Sequence, residues 1–261
     1  MKLRLRNSKN QYVDLFADET KYQVASITGL DPGKAQINSS TIVGVDGTRF
    51  NSARLNNRNI VITMKINGDA DTNRKNIYNK FPLKEKVRVF HGAGLAYDVY
   101  IDGYVDSISC NIFAQKEMMQ LSILCDDPYF TDVSETYTNP NTSQGRAVFS
   151  CSNSGIIDVG FNLDLIMTGT FNSISVSGTS GEMQISYSFV NPWIIINTRD
   201  KTARLKENNG AVVNVDLIPY MSLSSEFFTI PVGSSTVEVD FPDSAECSEG
   251  GLGYYQKYGG I

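Results

Sequence analysis

The chain contains a single histidine, His91, within Val89-Phe-His-Gly-Ala-Gly94. A hydrolytic triad needs an imidazole oriented by a carboxylate and within reach of a Ser or Cys, and a metal centre needs several His, Cys or carboxylate ligands converging on one point. Neither constellation surrounds His91, which reads as an exposed residue of a glycine-rich turn between two strands. Gly92-Ala-Gly94 has the composition of a phosphate cradle, but that device requires a helix N-terminus directly after the glycines. Leu95-Ala-Tyr-Asp-Val-Tyr100 reads as strand instead, so a hairpin loop is expected there.

Paired carboxylates would suit a glycosidase, in which two acids flank the scissile bond. Asp126 and Asp127 are sequence neighbours, and neighbouring strand residues point to opposite faces. Asp98, Asp102 and Asp106 recur at even spacing and would share one solvated face. The only tryptophan, Trp193, opens the run Trp-Ile-Ile-Ile-Asn-Thr198. An aromatic face of this kind can stack on a sugar, although the apolar run reads as a core strand. Cys110, Cys125, Cys151 and Cys247 lack metal-knuckle spacing, and Cys110 and Cys125 lie in apolar strand-like runs, so all four read as reduced and structural. The residues thus supply no catalytic, cofactor-binding or metal-ligating set, and the chain reads as a non-enzyme. Trp193 remains as a candidate carbohydrate contact.

The elements carrying these residues are mainly β. Apolar and polar residues alternate with period two in Leu3-Arg-Leu-Arg6, Ile60-Val-Ile-Thr-Met-Lys-Ile66, Val87-Arg-Val-Phe90, Met119-Gln-Leu-Ser-Ile-Leu124 and Phe161-Asn-Leu-Asp-Leu-Ile166. Many short strands separated by polar turns predict sandwiches or barrels. One segment differs: Asp69–Phe81 begins with acidic and cap-competent residues, groups Ile77, Tyr78 and Phe81 on one face and ends at Pro82. It predicts a helix over about 70–81, packed by that face on the first sheet.

Between Phe130 and Phe149 the composition becomes that of a connector. The charge balance shifts at the same place: residues 1–130 carry 17 Lys+Arg against 14 Asp+Glu, a net of +3, and residues 131–261 carry 6 against 14, a net of −8. These two observations predict domains over 1–132 and 133–261. Clustered cations for phosphate binding are absent from so acidic a chain, which argues against DNA as a specific ligand. The N-terminus, Met1-Lys-Leu-Arg-Leu-Arg-Asn7, lacks the apolar core of a secretory signal, and no apolar run is long enough to insert in a membrane.

Several segments, taken in order, resemble the distal tail (Dit-like) proteins of long-tailed bacteriophages. They are Val24-Ala-Ser-Ile-Thr-Gly-Leu-Asp-Pro-Gly33, Gly44-Val-Asp-Gly47, Asn57-Arg-Asn-Ile-Val-Ile-Thr63, the helix with Arg74, Ile77 and Tyr78, Tyr104-Val-Asp-Ser-Ile108 and Leu124-Cys-Asp-Asp-Pro-Tyr-Phe130. Farther on, Trp193–Thr198, Lys201–Lys206, Ser225–Val239 and Gly253–Ile261 are similar to that family's C-terminal sandwich and closing strand. The resemblance implies an N-terminal β-sandwich-like ring domain with one helix and a C-terminal galectin-like β-sandwich. It further implies a homo-hexameric ring at the virion tail tip, or baseplate, of a particle assembled in the bacterial cytoplasm. The partners implied are the tail tube protein, the tape measure protein, and tail-associated hub or fibre and receptor-binding proteins.

An edge strand supplies unpaired backbone groups for closing such a ring, and the N-terminal hairpin around Leu3, Leu5, Tyr12 and Val13 is the candidate interface. Carboxylates are expected to line the lumen, where they would repel passing DNA. The alternative reading is a carbohydrate-binding module that recognises host surface glycans.

Overall fold

The computed structural model describes residues 2–16, 21–92, 98–114 and 116–261. The expected hairpin loop at Ala93-Gly94 and the strand start Leu95–Tyr97 lie outside the described residues. By internal contacts the chain forms two units, residues 1–133 with 258–261 and residues 134–257. The expected assignment of everything beyond 132 to one C-terminal domain is therefore corrected at the very end of the chain, where the last four residues pack with the first unit.

The first unit runs β1 (Lys2–Asn7), β2 (Tyr12–Asp14), β3 (Tyr22–Thr28), β4 (Ala35–Thr41), β5 (Thr48–Leu55), β6 (Arg58–Ile66), α1 (Ala70–Lys80), β7 (Lys86–Gly92), β8 (Val99–Cys110), β9 (Met118–Cys125) and β10 (Phe130–Asp132). Its main sheet is antiparallel in the order β2-β1-β7-β8-β9-β6-β3, and β10 pairs with the start of β8. The alternation read from the sequence sorts the faces. Leu3, Leu5, Ile60, Ile62, Met64, Val87, Val89, Ile101, Leu121 and Ile123 all enter one core, and their polar neighbours face outward.

Asp69 caps α1, accepting from the backbone N–H of Thr72 at 3.2 Å, which satisfies one of the unpaired amides at the helix start. Ile77 and Phe81 are fully buried and fix the helix on the sheet. Tyr78, expected on the same face, is instead exposed, because it lies one residue, or about 100°, around the helix from Ile77. Strands β4 and β5 pair only with each other, as a separate two-stranded ribbon.

The second unit contains β11 (Thr136–Thr138), β12 (Asn141–Ser143), β13 (Arg146–Asn153), β14 (Phe161–Thr168), β15 (Thr170–Gly178), β16 (Gly181–Val190), β17 (Trp193–Asn197), β18 (Thr202–Asn208), β19 (Ala211–Asp216), β20 (Gly233–Asp240) and β21 (Glu246–Tyr254). A six-stranded sheet, β11-β21-β14-β17-β18-β19, and a five-stranded sheet, β12-β13-β20-β15-β16, share one core. Leu163, Leu165, Ile194, Ile196, Leu205 and Leu252 come from the first sheet, with Phe149, Val176, Ile185, Val237 and Val239 from the second. Two antiparallel sheets packed through alternate residues make a β-sandwich. The chain ends with β22 (Lys257–Tyr258), which pairs with β10, and Tyr258 packs on the first core.

Candidate functional site

The alternation of β1 decides what its side chains can do. Leu3 and Leu5 are fully buried, and Val13 on β2 joins them in the core. Of the four expected interface residues, only Tyr12 lies at the surface. The correction has a simple cause: alternation shows that leucines share a face, and here that face is the core. Strand β1 is also internal, held between β2 and β7, so the open edge belongs to β2.

The opposite face of the same strands carries a ladder of arginines and aromatic rings. Register places Arg4 across from Asp14 and Phe90, Arg6 across from Tyr12 and Arg88, and Arg88 across from Asp102. Arg4 forks onto Asp14 at 2.6 and 2.9 Å, and Arg88 onto Asp102 at 2.6 and 2.8 Å. The guanidiniums of Arg4, Arg6 and Arg88 lie 4.3, 4.8 and 3.9 Å from the ring centres of Tyr12, Phe90 and Tyr100. Each is thus stacked by cation–π attraction, and a shallow cavity of about 350 Å³ opens between Arg4, Arg6, Tyr12 and Phe90. Arginine and aromatic residues are the side chains enriched where proteins bind one another. In the sequence this face is marked by the arginines of Leu3-Arg-Leu-Arg6, which alternate with the core leucines.

Trp193 also departs from expectation. In β17, Ile194 and Ile196 enter the core, so Trp193 and Ile195 face outward and Trp193 is half-buried. Its indole N–H donates to Asp164 Oδ1 at 2.6 Å. Beside it Tyr137, Pro140, Thr142, Asp164, Ile166 and Glu249 line a shallow groove of about 470 Å³. Gly251 has no side chain, and the end of the Tyr137 ring takes that space, its hydroxyl 1.6 Å from where a Cβ would be.

The remaining candidates stay apart. His91 lies in β7, paired with Leu3 and Val99, and is half-buried rather than an exposed turn residue. Desolvation lowers its pKa, partly offset by Asp98. Asp98 and Asp106 are exposed, and Asp102 is half-buried against Arg88. Asp126 accepts from Asn57 and Asp127 from the Tyr129 amide, so the two neighbouring acids serve different partners. The four cysteines are unbridged, and burial raises the pKa of each. Among the described residues no three His, Cys, Asp or Glu gather as a metal site, and no helix is long and apolar enough to cross a membrane. What the geometry offers is surface for binding: an arginine–aromatic face, an exposed ribbon and a groove.

No known protein family matches the sequence, and no curated protein matches it. Solved structures do match the fold. The chain is similar to the SPP1 Dit protein, described as a paradigm of the hub adsorption apparatus in Gram-positive infecting phages. The TM-score is 0.74 at 11% identity, covering 98% of each chain. It is also similar to a chain of the phage P2 baseplate in its activated conformation, with TM-scores of 0.57 and 0.54 for the Ca and Sr forms, again at 11% identity, covering 100% of this chain and 99% of that one. The chain therefore shares, over its full length, the fold of a phage hub protein and of a baseplate component.

Proposed function

We propose that this protein is a Dit-like structural component of a phage tail tip, with no catalytic role. The single observation that carries this reading is the end-to-end likeness to SPP1 Dit, with a TM-score of 0.74 over 98% of each chain. In this reading the first unit assembles into a homo-hexameric ring that joins the tail tube to the baseplate and lets DNA pass. The tube and tape measure proteins, hub or fibre proteins and receptor-binding proteins dock around it. The arginine–aromatic face of β1, β7 and β8 supports an assembly role by its composition. A head-to-tail surface whose rotation closes gives a ring without a second interface type.

The test is the mass and shape of the purified full chain. Native mass spectrometry should show six copies, and negative-stain images a six-fold ring. A monomer at the highest soluble concentration would overturn the ring.

A second reading rests on the groove beside Trp193. A tyrosine ring and the acids Asp164 and Glu249 around about 470 Å³ suit a saccharide, and the Trp193 indole is tied to this lining by its bond to Asp164. Because Trp193 is the only tryptophan and donates to Asp164 in the groove lining, its fluorescence is sensitive to changes at that wall. Saturable change on titration with host wall polysaccharide would favour a carbohydrate-binding module, and a flat titration would exclude it.

A further inference from the structure

The first unit is interrupted in sequence. It comprises residues 1–133 and 258–261, and residues 134–257 form the second unit between them. The returning segment is tied in at every residue. Tyr258 packs on the first core and its strand β22 pairs with β10. The Gly259 carbonyl accepts from the buried Arg58 guanidinium, and the Ile261 amide donates to the Leu30 carbonyl at 3.1 Å. A Cβ at Gly260 would stand 2.7 Å from both Cδ and N of Pro32, so this stretch lies directly against the turn after β3.

The second unit determines where that segment arrives. Strand β11 closely follows β10, and its register sets Thr136 opposite Tyr254 and Thr138 opposite Leu252. The Gln256 side-chain amide donates to Thr136 Oγ1 at 3.4 Å, and the Ile156 amide donates to the Lys257 carbonyl at 2.9 Å. The folded second unit therefore holds the chain up to the residue before Tyr258, within a few residues of the point where it left β10.

Loop closure sets the size of the coupling. With the second unit unfolded, Tyr258 must find β10 across a flexible loop of about 125 residues. With β11 paired to β21, only a few residues on each side remain free. Closure probability falls as the 3/2 power of loop length, so a folded second unit raises it on the order of 50-fold. Order of synthesis acts in the same direction. At about 5–20 residues per second, residues 134–257 take roughly 6–25 s to make, whereas small β domains fold in milliseconds to seconds.

We infer that the first unit is completed only after the second has folded, so that closure of β22 on β10 is a folding checkpoint. A chain whose second unit is missing or misfolded leaves the first unit unfinished. The consequence for assembly rests on the ring reading: finished first units alone enter the ring.

The test uses the full chain and follows Cys125 and Cys151, which are 0% and 3% exposed in the first and second cores. Each is labelled with iodoacetamide and read by peptide mass spectrometry. Leu163→Asp puts a charge in the second core and opens that unit, so Cys151 labels faster. Cys125 should then also label about ten-fold faster or more, although residue 163 lies outside the first unit. Gly260→Val dislodges the returning segment alone, and should accelerate Cys125 about ten-fold or more while Cys151 keeps its wild-type rate. A Cys125 that stays protected while Cys151 is open in Leu163→Asp, or that keeps its wild-type rate in Gly260→Val, would overturn the checkpoint. Native mass spectrometry of the same samples reads assembly. A Gly260→Val chain that assembles as fully as wild type would overturn the consequence for the ring, whereas a monomeric wild type would overturn the ring reading and leave the thiol rates as the measure of the checkpoint.

Discussion

The guanidinium of Arg58 donates to the backbone carbonyl of Gly259, joining residues 201 positions apart. The same side chain donates to the carbonyls of Gly29, Asp31 and Pro128, each at 2.7 Å, and stacks 4.7 Å over Phe130. One arginine, 4% exposed, thus gathers four segments: the turn after β3, the start of β6, the turn before β10 and the chain end. The last residue adds a bond of its own, from the Ile261 amide to the Leu30 carbonyl. Burial lowers the Arg58 pKa from a value so high that the group stays charged.

Arg58→Met should therefore be among the most damaging single changes in the first unit. Methionine can fill the space but leaves four inward-facing carbonyls without their donor, at a cost on the order of 3–5 kcal/mol. Arg58→Lys should recover only a minor fraction, because an ammonium on one stem cannot reach carbonyls arranged around a planar fork. Thermal melting followed by circular dichroism checks both, and equal melting for Arg58→Met and wild type would contradict the stapling role.

Two glycines predict opposite outcomes for the same substitution. A Cβ at Gly103 would stand 2.7 Å from Ile123 Cγ2 and 2.8 Å from both Cys125 Sγ and the Leu124 carbonyl. Core and backbone cannot yield there, so Gly103→Ala should cost roughly 1–3 kcal/mol or more. At Gly251 the nearest atom is the Tyr137 hydroxyl, the far end of an exposed side chain. Gly251→Ala should leave melting nearly unchanged while displacing Tyr137 and altering the fluorescence of nearby Trp193.

Helix α1 and most strands of the three large sheets are legible in the sequence because each repeats a local rule. Asp69 and Pro82 bracket the helix, and strict alternation in Ile60–Ile66 fixes which side chains share a face. What alternation leaves open is what covers that face. Leu3 and Leu5 read equally well as core or interface until β7 is known to lie beside them. Trp193 begins a continuous apolar run, so parity gives no sign that Ile194 points inward and the indole outward. Arg58, flanked by Asn57 and Asn59, looks like a polar turn residue, and its four acceptors are scattered over the chain.

The cysteines give a pH dependence with a definite sign. Burial pushes the Cys125 thiol up to about 12 and Cys151 up to about 11 from a usual value of 9.0. Between these values the unfolded chain releases protons that the folded chain retains, so rising pH favours unfolding. Stability contributed by the neutral thiols is fully present below about pH 9 and is lost as pH climbs through 11 and 12. Melting temperatures measured from pH 8 to 11 should fall less steeply in Cys125→Ala than in wild type. In the native protein an aromatic disulfide reagent should reach the half-buried Cys110 first.

The two faces of β1 can be separated by substituting neighbours. Leu5 is fully buried, and Leu5→Ala removes packing from the first core at a cost of about 2–5 kcal/mol. Arg6, one residue on, stacks over Phe90 on the outer face, where a cation–π contact contributes about 0.5–1 kcal/mol to folding. Arg6→Ala should therefore melt close to wild type. If the arginine–aromatic ladder is an assembly surface, the same change weakens association, because stacked arginines carry a large share of interface energy. Measuring both melting and self-association for the two variants distinguishes the roles. Leu5→Ala lowers the melting temperature, and Arg6→Ala lowers the mass of the assembly without lowering the melting temperature of the chain. An Arg6→Ala chain that assembles as fully as wild type would remove the ladder from the interface and leave β1 a purely structural strand.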